Sequence, residues 1–113
     1  MIREGGVATL TGSRVDLLAG TQFSTITQQM NFVVRCAITT GVENSGRVQV
    51  RFRRGSIALS EVELPGDGEI AGGIQGAEDA ELFRGRVMPG NLYLEVSQTG
   101  TSGSALEYDI TAF

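Results

Sequence analysis

Apolar and polar residues alternate along much of this 113-residue chain, with the two-residue period of a β-strand. The alternation is cleanest over residues 47–53, which predict a strand buried on one side only. Its apolar side carries Val48, Val50 and Phe52, and its polar side carries Arg47, Gln49, Arg51 and Arg53.

Further strands are predicted over residues 6–11, 23–27, 31–40, 57–64, 82–88, 92–97 and 105–110. In residues 31–40 the side chains of Phe32, Val34, Cys36 and Ile38 share one face. Ile57 and Leu59 occupy one phase of their strand, whereas Val62 and Leu64 occupy the other. A one-residue slip exchanges the two faces, so the pattern predicts a β-bulge near Ser60–Glu61.

The segments between the predicted strands are rich in turn-forming residues. The chain has 16 glycines, about twice the average share. Pro65–Gly68 is predicted to form a turn, and Pro89–Gly90–Asn91 is predicted to form a hairpin turn. Residues 69–77 are predicted to form a Gly-rich loop. Residues 77–81 form either one helical turn or the approach to a strand.

These elements predict an all-β fold of eight or nine short antiparallel strands with little or no helix. The fold class is a single β-sandwich of jelly-roll type. Residues 1–6 are polar and are expected to form an N-terminal arm, and residues 7–113 the sandwich domain.

The composition removes most catalytic chemistry. The chain has no His, and all nine basic residues are Arg. Without His and Lys there is no Ser-His or Cys-His pair, no His-metal site and no Schiff base. Cys36 is the single cysteine, and its place on an apolar strand face favours a buried, unreactive thiol. We therefore expect a protein that is not an enzyme and that needs no cofactor.

No targeting signal is recognised in the sequence. No apolar run is long enough to cross a membrane, and residues 1–6 have no apolar core of a signal peptide. We expect synthesis in a cytoplasm and no membrane partner.

Charge is divided unevenly along the chain. Residues 1–60 hold seven Arg and three acids, a net of +4, and residues 61–113 hold two Arg and ten acids, a net of −8. If the two halves form different faces, the basic face of one copy could meet the acidic face of the next copy. This contact would favour head-to-tail association into a ring such as a trimer. Pairing between adjacent strands of one molecule explains the same numbers, and the sequence leaves both open.

The polar side of residues 47–53, together with Arg54, is the candidate interface. Its arginines stand about 6–7 Å apart and suit carboxylates or phosphates. The alternative is an ordinary solvated strand face. Nucleic acid is disfavoured, because the protein is acidic overall and no aromatic residues interleave these arginines.

Four acidic residues surround the predicted turn at Pro65–Gly68, namely Glu61, Glu63, Asp67 and Glu69. Oxygen ligands suit Ca²⁺, and Asp67 and Glu69 are the weak metal candidates. Their spacing matches no defined calcium loop, and Asp is an ordinary turn residue. No metal is therefore expected.

Two resemblances bear on function. Residues 82–88, the Pro89–Asn91 turn and the segments 92–96 and 105–110 look like the closing strands of small jelly-roll modules, including carbohydrate-binding-like and pre-peptidase C-terminal domains. In size, polar N-terminal arm, missing signal and all-β character, the whole chain is similar to the capsid decoration (cement) proteins of tailed bacteriophages. That resemblance implies binding to the outside of a shell, often as trimers, and stabilisation of the shell.

The expected function is therefore that of a virion structural protein that binds a major capsid protein and itself. The alternatives are a carbohydrate- or calcium-binding jelly-roll module, which would use Tyr93 or Tyr108, and a phage tail or fibre component.

Overall fold

The computed structural model describes residues 1–42, 45–66 and 81–113. The described residues form nine β-strands. They are β1 (Ile2–Thr9), β2 (Val15–Asp16), β3 (Thr25–Ile26), β4 (Met30–Thr40), β5 (Ser45–Arg54), β6 (Ile57–Pro65), β7 (Glu81–Val87), β8 (Gly90–Gly100) and β9 (Ala105–Ala112). Within these ranges no helix has the length and apolar character needed to cross a membrane.

The strands form two antiparallel sheets that pack face to face as a single β-sandwich. The first sheet has the order β1-β9-β4-β7, and the second has the order β2-β8-β5-β6 with β3 also on β8. β2 and β3 pair with different parts of β8 along the same edge, so they are two pieces of one interrupted strand. With that pair counted once, each sheet has four strands in the jelly-roll order, which confirms the predicted fold class.

The core lies between the inner faces of the two sheets. Val48, Val50 and Phe52 of β5 are buried there, as the alternation of residues 47–53 predicts. An aromatic row crosses this core, with ring centroids 5.2 Å apart for Phe23–Phe32, 6.1 Å for Phe32–Phe52 and 5.2 Å for Phe52–Phe83. Pairs at these separations stabilise a core beyond the area that they bury.

Cys36 is buried on the inner face of β4, as predicted. Burial raises the pKa of its thiol to about 11, so the reactive thiolate is scarce at neutral pH.

A buried polar cluster joins the ends of several strands. Nε2 of Gln98 donates to Oγ of Ser104 at 2.7 Å, and that hydroxyl donates to the carbonyl oxygen of Gly66 at 2.6 Å. Oε1 of Gln98 accepts from the backbone N–H groups of Gly103 and Ser104. Because these partners satisfy both ends of the buried amide, the cluster fixes the β8–β9 turn against the end of β6.

The predicted bulge is confirmed. Phe52 pairs with Ser60 and Arg53 pairs with Ala58, which leaves Leu59 as the extra residue of β6. The bulge therefore lies one residue before Ser60–Glu61.

Two local predictions differ from the structure. Residues 1–6 do not form a separate arm, because β1 begins at Ile2 and pairs with β9 along its whole length. The hairpin predicted at Pro89–Gly90–Asn91 is wrong, because β7 pairs with β4 in the first sheet whereas β8 pairs with β5 in the second. The chain crosses from one sheet to the other there.

Candidate functional site

The predicted interface lies on the outer surface of the second sheet. Side chains alternate along β5, so burial of Val48, Val50 and Phe52 directs the intervening polar side chains away from the core. We call this set the arginine face, and its members are Arg47, Gln49, Arg51 and Arg53. The face occupies the middle of the sheet, because β5 lies between β6 and β8.

Acidic residues of the two neighbouring strands meet the arginine face. On β6, Glu63 lies opposite Gln49 and Glu61 opposite Arg51. Arg47 Nε is 3.9 Å from Glu63 Oε2, and Gln49 Nε2 donates to Glu63 Oε1 at 3.3 Å. Arg51 forms an ion pair with Glu61. These side chains are well exposed, so each contact contributes at most about 1 kcal/mol.

The pair between Arg53 and Glu95 is more enclosed. Nε of Arg53 donates to Oε1 of Glu95 at 2.7 Å, and Nη2 donates to Oε2 at 3.2 Å. This is the bidentate geometry of a strong arginine–carboxylate pair. The guanidinium carbon also lies 4.0 Å from the ring centroid of Tyr93, a cation–π contact.

Positive charge around Glu95 sets its protonation. The hydrogen bond from Arg53 is the main cause that lowers the pKa of Glu95, and the charges of Arg53, Arg14 and Arg51 lower it further. The same hydrogen bond raises the pKa of Arg53. Both groups therefore stay ionised in the folded protein at neutral pH, and Arg53 is held in one orientation.

Arg54 does not belong to the arginine face. It ends β5 opposite Ile57, and its side chain packs beside Gly90. Its Nη1 donates to the carbonyl oxygen of Pro89 at 3.3 Å. Arg54 therefore ties the end of β5 to the crossing between β7 and β8.

A shallow groove of about 270 Å³ runs over this surface. Its charged lining residues are Arg14, Arg51, Glu61, Glu63 and Glu95. Both signs of charge line the groove, so it suits a polar partner surface better than a small ion of one sign.

The unequal division of charge along the chain is matched on this sheet by pairing within one molecule. The arginines of β5 come from the basic half, whereas their partners Glu61, Glu63 and Glu95 come from the acidic half. The same holds on the first sheet, where Arg3 of β1 pairs with Asp109 of β9. These pairs favour the intramolecular explanation over a head-to-tail ring.

The candidates for metal and sugar binding are Asp67, Glu69, Tyr93 and Tyr108. Asp67 and Glu69, the weak metal candidates, lie outside the described residues. Within the described part of the chain, no group of three His, Cys, Asp or Glu residues is arranged to hold a metal ion. Tyr93 has one ring face covered by Arg53, and Tyr108 packs against the core. Neither arrangement favours stacking against a sugar ring.

Sequence reasoning missed Glu95, Tyr93 and Arg14 as members of this site. Glu95 and Tyr93 belong to the polar phase of residues 92–97, which is visible in the sequence, but nothing in the sequence pairs β8 with β5. For the arginine face, that pairing joins residues forty or more positions apart, as in Arg53 opposite Tyr93 and Arg51 opposite Glu95. Arg14 precedes the two-residue strand β2, which carries no alternation of its own.

Comparison with known proteins gives no match to a family model, to a curated protein or to a solved structure.

Proposed function

We propose that this protein is a non-enzymatic structural protein of a virus particle, a capsid decoration protein that binds the major capsid protein through the arginine face. The observation that carries the proposal is the arginine face itself. It presents three guanidinium groups on the outer surface of a central strand. The inner side of the same strand packs against the core.

The ion pairs on this face leave it able to bind a partner. Arg47 and Arg51 have side-chain exposures of 54% and 39%, and their partners Glu63 and Glu61 are 53% and 54% exposed. Because such exposed pairs stabilise the fold very little, carboxylates of a partner can replace Glu63 and Glu61 at small cost. Arg53 stays bound to Glu95 and keeps the surface rigid.

The experiment compares two double variants in binding to capsids prepared without this protein. Arg47→Gln/Arg51→Gln removes two charges from the arginine face without placing like charges beside Glu61 and Glu63. We expect its capsid affinity to fall about tenfold or more. Arg84→Gln/Arg86→Gln is the matched control, because both residues are exposed on β7 in the other sheet. It should bind as the unmodified chain does.

Equal affinity of the two double variants would refute the arginine face as the attachment surface. A chain that binds no capsid at all would refute the decoration function. Binding to a glycan array that is lost on Tyr93→Ala would instead support the carbohydrate-binding alternative.

A further inference from the structure

Among the strands that the structure describes, β1 has an unpaired outer edge. β1 pairs with β9 on one side, and no described strand lies on its other side. Asn31 and Phe113 exchange both backbone hydrogen bonds. Phe113 and every second residue before it in β9 therefore bond to β4. The alternate residues of β9 therefore bond to β1. It follows that Arg3, Gly5, Val7 and Thr9 direct their N–H and C=O groups away from the sheet.

The other three edges of the sandwich are protected against pairing with another strand. β2 and β3 have two residues each. β6 contains the bulge at Leu59 and ends at Pro65. At β7, the Ser60 hydroxyl of β6 donates to the carbonyl oxygen of Leu82 at 2.7 Å. Short strands, bulges, prolines and covering groups are the usual means by which sheet edges avoid association.

β1 has few of these protections. It is eight residues long, its register with β9 is continuous, and it contains no proline. Residues 5–9 carry no charge. Its apolar side chains are also open to solvent, with Val7 65% and Ile2 38% exposed. A long, regular edge with exposed apolar residues is a site for strand addition.

We propose that the occupant of this edge is a second copy of the chain, with the two β1 strands antiparallel about a two-fold axis at Gly5. The two four-stranded sheets then form one continuous sheet across the dimer. In this register Arg3 lies opposite Val7 of the second copy, and Ile2 lies opposite Ala8. The outward-directed backbone groups of Arg3, Gly5 and Val7 form about six hydrogen bonds across the axis.

Charge and exposure select this register. An axis at Glu4 would place the two Glu4 carboxylates opposite each other, which is unfavourable. An axis at Gly6 would place Val7 opposite Gly5 and leave Ile2 beyond the paired region. With the axis at Gly5, Glu4 meets the side-chain-free Gly6, and both Ile2 and Val7 are covered. The stem of Arg3 packs over Val7 of the second copy.

The test measures self-association by sedimentation equilibrium for two variants at one position. Val7→Lys places an ammonium opposite Arg3 of the second copy, so we expect the dimer dissociation constant to rise about tenfold or more. Val7→Glu places a carboxylate opposite the same arginine, so the dimer should be retained. Within one chain Val7 lies opposite Glu107. Val7→Lys therefore meets a favourable neighbour in its own fold, and its loss of dimer cannot be attributed to unfolding.

Ile57→Lys is the matched control, because Ile57 is 54% exposed on the protected edge strand β6. It should leave the dimer unchanged. In the unmodified chain, the backbone amides of Arg3, Gly5 and Val7 should also gain protection from hydrogen exchange as the protein concentration rises.

Three outcomes would overturn the inference. One is a monomer at every concentration tested. Another is equal behaviour of Val7→Lys and Val7→Glu, which would exclude the register about Gly5. The third is protection of the β1 amides only when capsids are added, which would make a capsid strand the occupant. None of these outcomes decides whether the arginine face binds capsids, since Val7 lies on the other sheet.

Discussion

At the scale of single residues, the contact that we expect to matter most for stability is the one between Glu95 and Arg53. Its side chains are only 13% and 24% exposed, and its geometry is bidentate. We predict that Glu95→Gln lowers the free energy of unfolding at pH 7 by roughly 1–2 kcal/mol, because it removes a charge-assisted pair from an enclosed position. Urea denaturation at pH 7 measures the difference.

The same pair gives a pH dependence of known sign. The pKa of Glu95 is lowered in the folded state, chiefly by the hydrogen bond from Arg53. Its stabilisation is therefore complete above the ordinary glutamate pKa of about 4.3 and is lost as the pH falls through the lower folded value. The difference between Glu95→Gln and the unmodified chain should vanish in acid. Glu63→Gln, at the exposed pair with Arg47, should change stability by less than about 0.5 kcal/mol at either pH. A difference for Glu95→Gln that persists unchanged into strong acid would contradict this account.

At the scale of elements, β5 and β8 depend on a second bulge near the start of β5. Ser45 pairs with Gly100 and Val48 pairs with Gln98, so Gly46 and Arg47 together face Thr99. The Thr99 hydroxyl closes the bulge, accepting from the N–H of Arg47 at 2.9 Å. Arg47, the first member of the arginine face, lies opposite Pro65 of β6 in regular pairing, but on its β8 side it is placed by the Gly46 bulge and the Thr99 hydroxyl.

We predict that Gly46→Ala destabilises the fold by about 1–3 kcal/mol, because the new methyl group overpacks this bulge. A Cβ at Gly46 would lie 2.5 Å from Oγ1 of Thr99 and 3.0 Å from its carbonyl oxygen. Movement of β8 away from Gly46 would disturb its pairing with β5 and the hydrogen bond from the N–H of Gln98 to the carbonyl oxygen of Thr11. Gly12→Ala is the control, because a Cβ there would approach no closer than 3.9 Å to its nearest neighbour. Thermal denaturation of both variants measures the difference, and equal melting temperatures would contradict the prediction.

The elements that the sequence predicts well are those with a strong two-residue period. The inner faces of β5 and β8 and the bulge of β6 are all visible in the alternation of apolar residues. β1 is predicted only in its second half, by the strand over residues 6–11, because its first half carries polar residues and an edge strand needs little burial on either face. The hairpin at Pro89–Asn91 fails for another reason. A turn motif shows that the chain reverses, but not whether the next strand joins the same sheet.

The candidate site shows the same limit. The arginine face can be predicted because its members lie on one strand, within seven residues of each other. Its acidic partners cannot be predicted, because they depend on β5 lying between β6 and β8. Strand order is a property of long-range packing, so the charge division along the sequence is compatible with association between copies and with pairing inside one copy.

At the scale of the whole molecule, the proposed capsid contact and the proposed dimer contact differ in their physical basis and should respond differently to salt. The arginine face binds through exposed charges, whose interactions are screened over about 10 Å at 0.1 M salt and about 3 Å at 1 M. The β1 edge binds through backbone hydrogen bonds and apolar contacts. The chain's net charge of −4 makes two copies repel each other slightly, and salt relieves this repulsion.

We therefore predict opposite trends in one titration. Between about 0.05 and 0.5 M sodium chloride, capsid affinity should fall about tenfold or more, whereas the dimer dissociation constant should stay level or decrease. Sedimentation equilibrium and capsid co-sedimentation at each salt concentration measure both quantities on the same preparation. The Arg84→Gln/Arg86→Gln variant should follow the unmodified chain in both. A dimer that dissociates with salt in parallel with the capsid complex would mean that charged side chains hold the two copies together. The β1 edge would then not be their contact, because backbone hydrogen bonds and apolar burial do not weaken in this range.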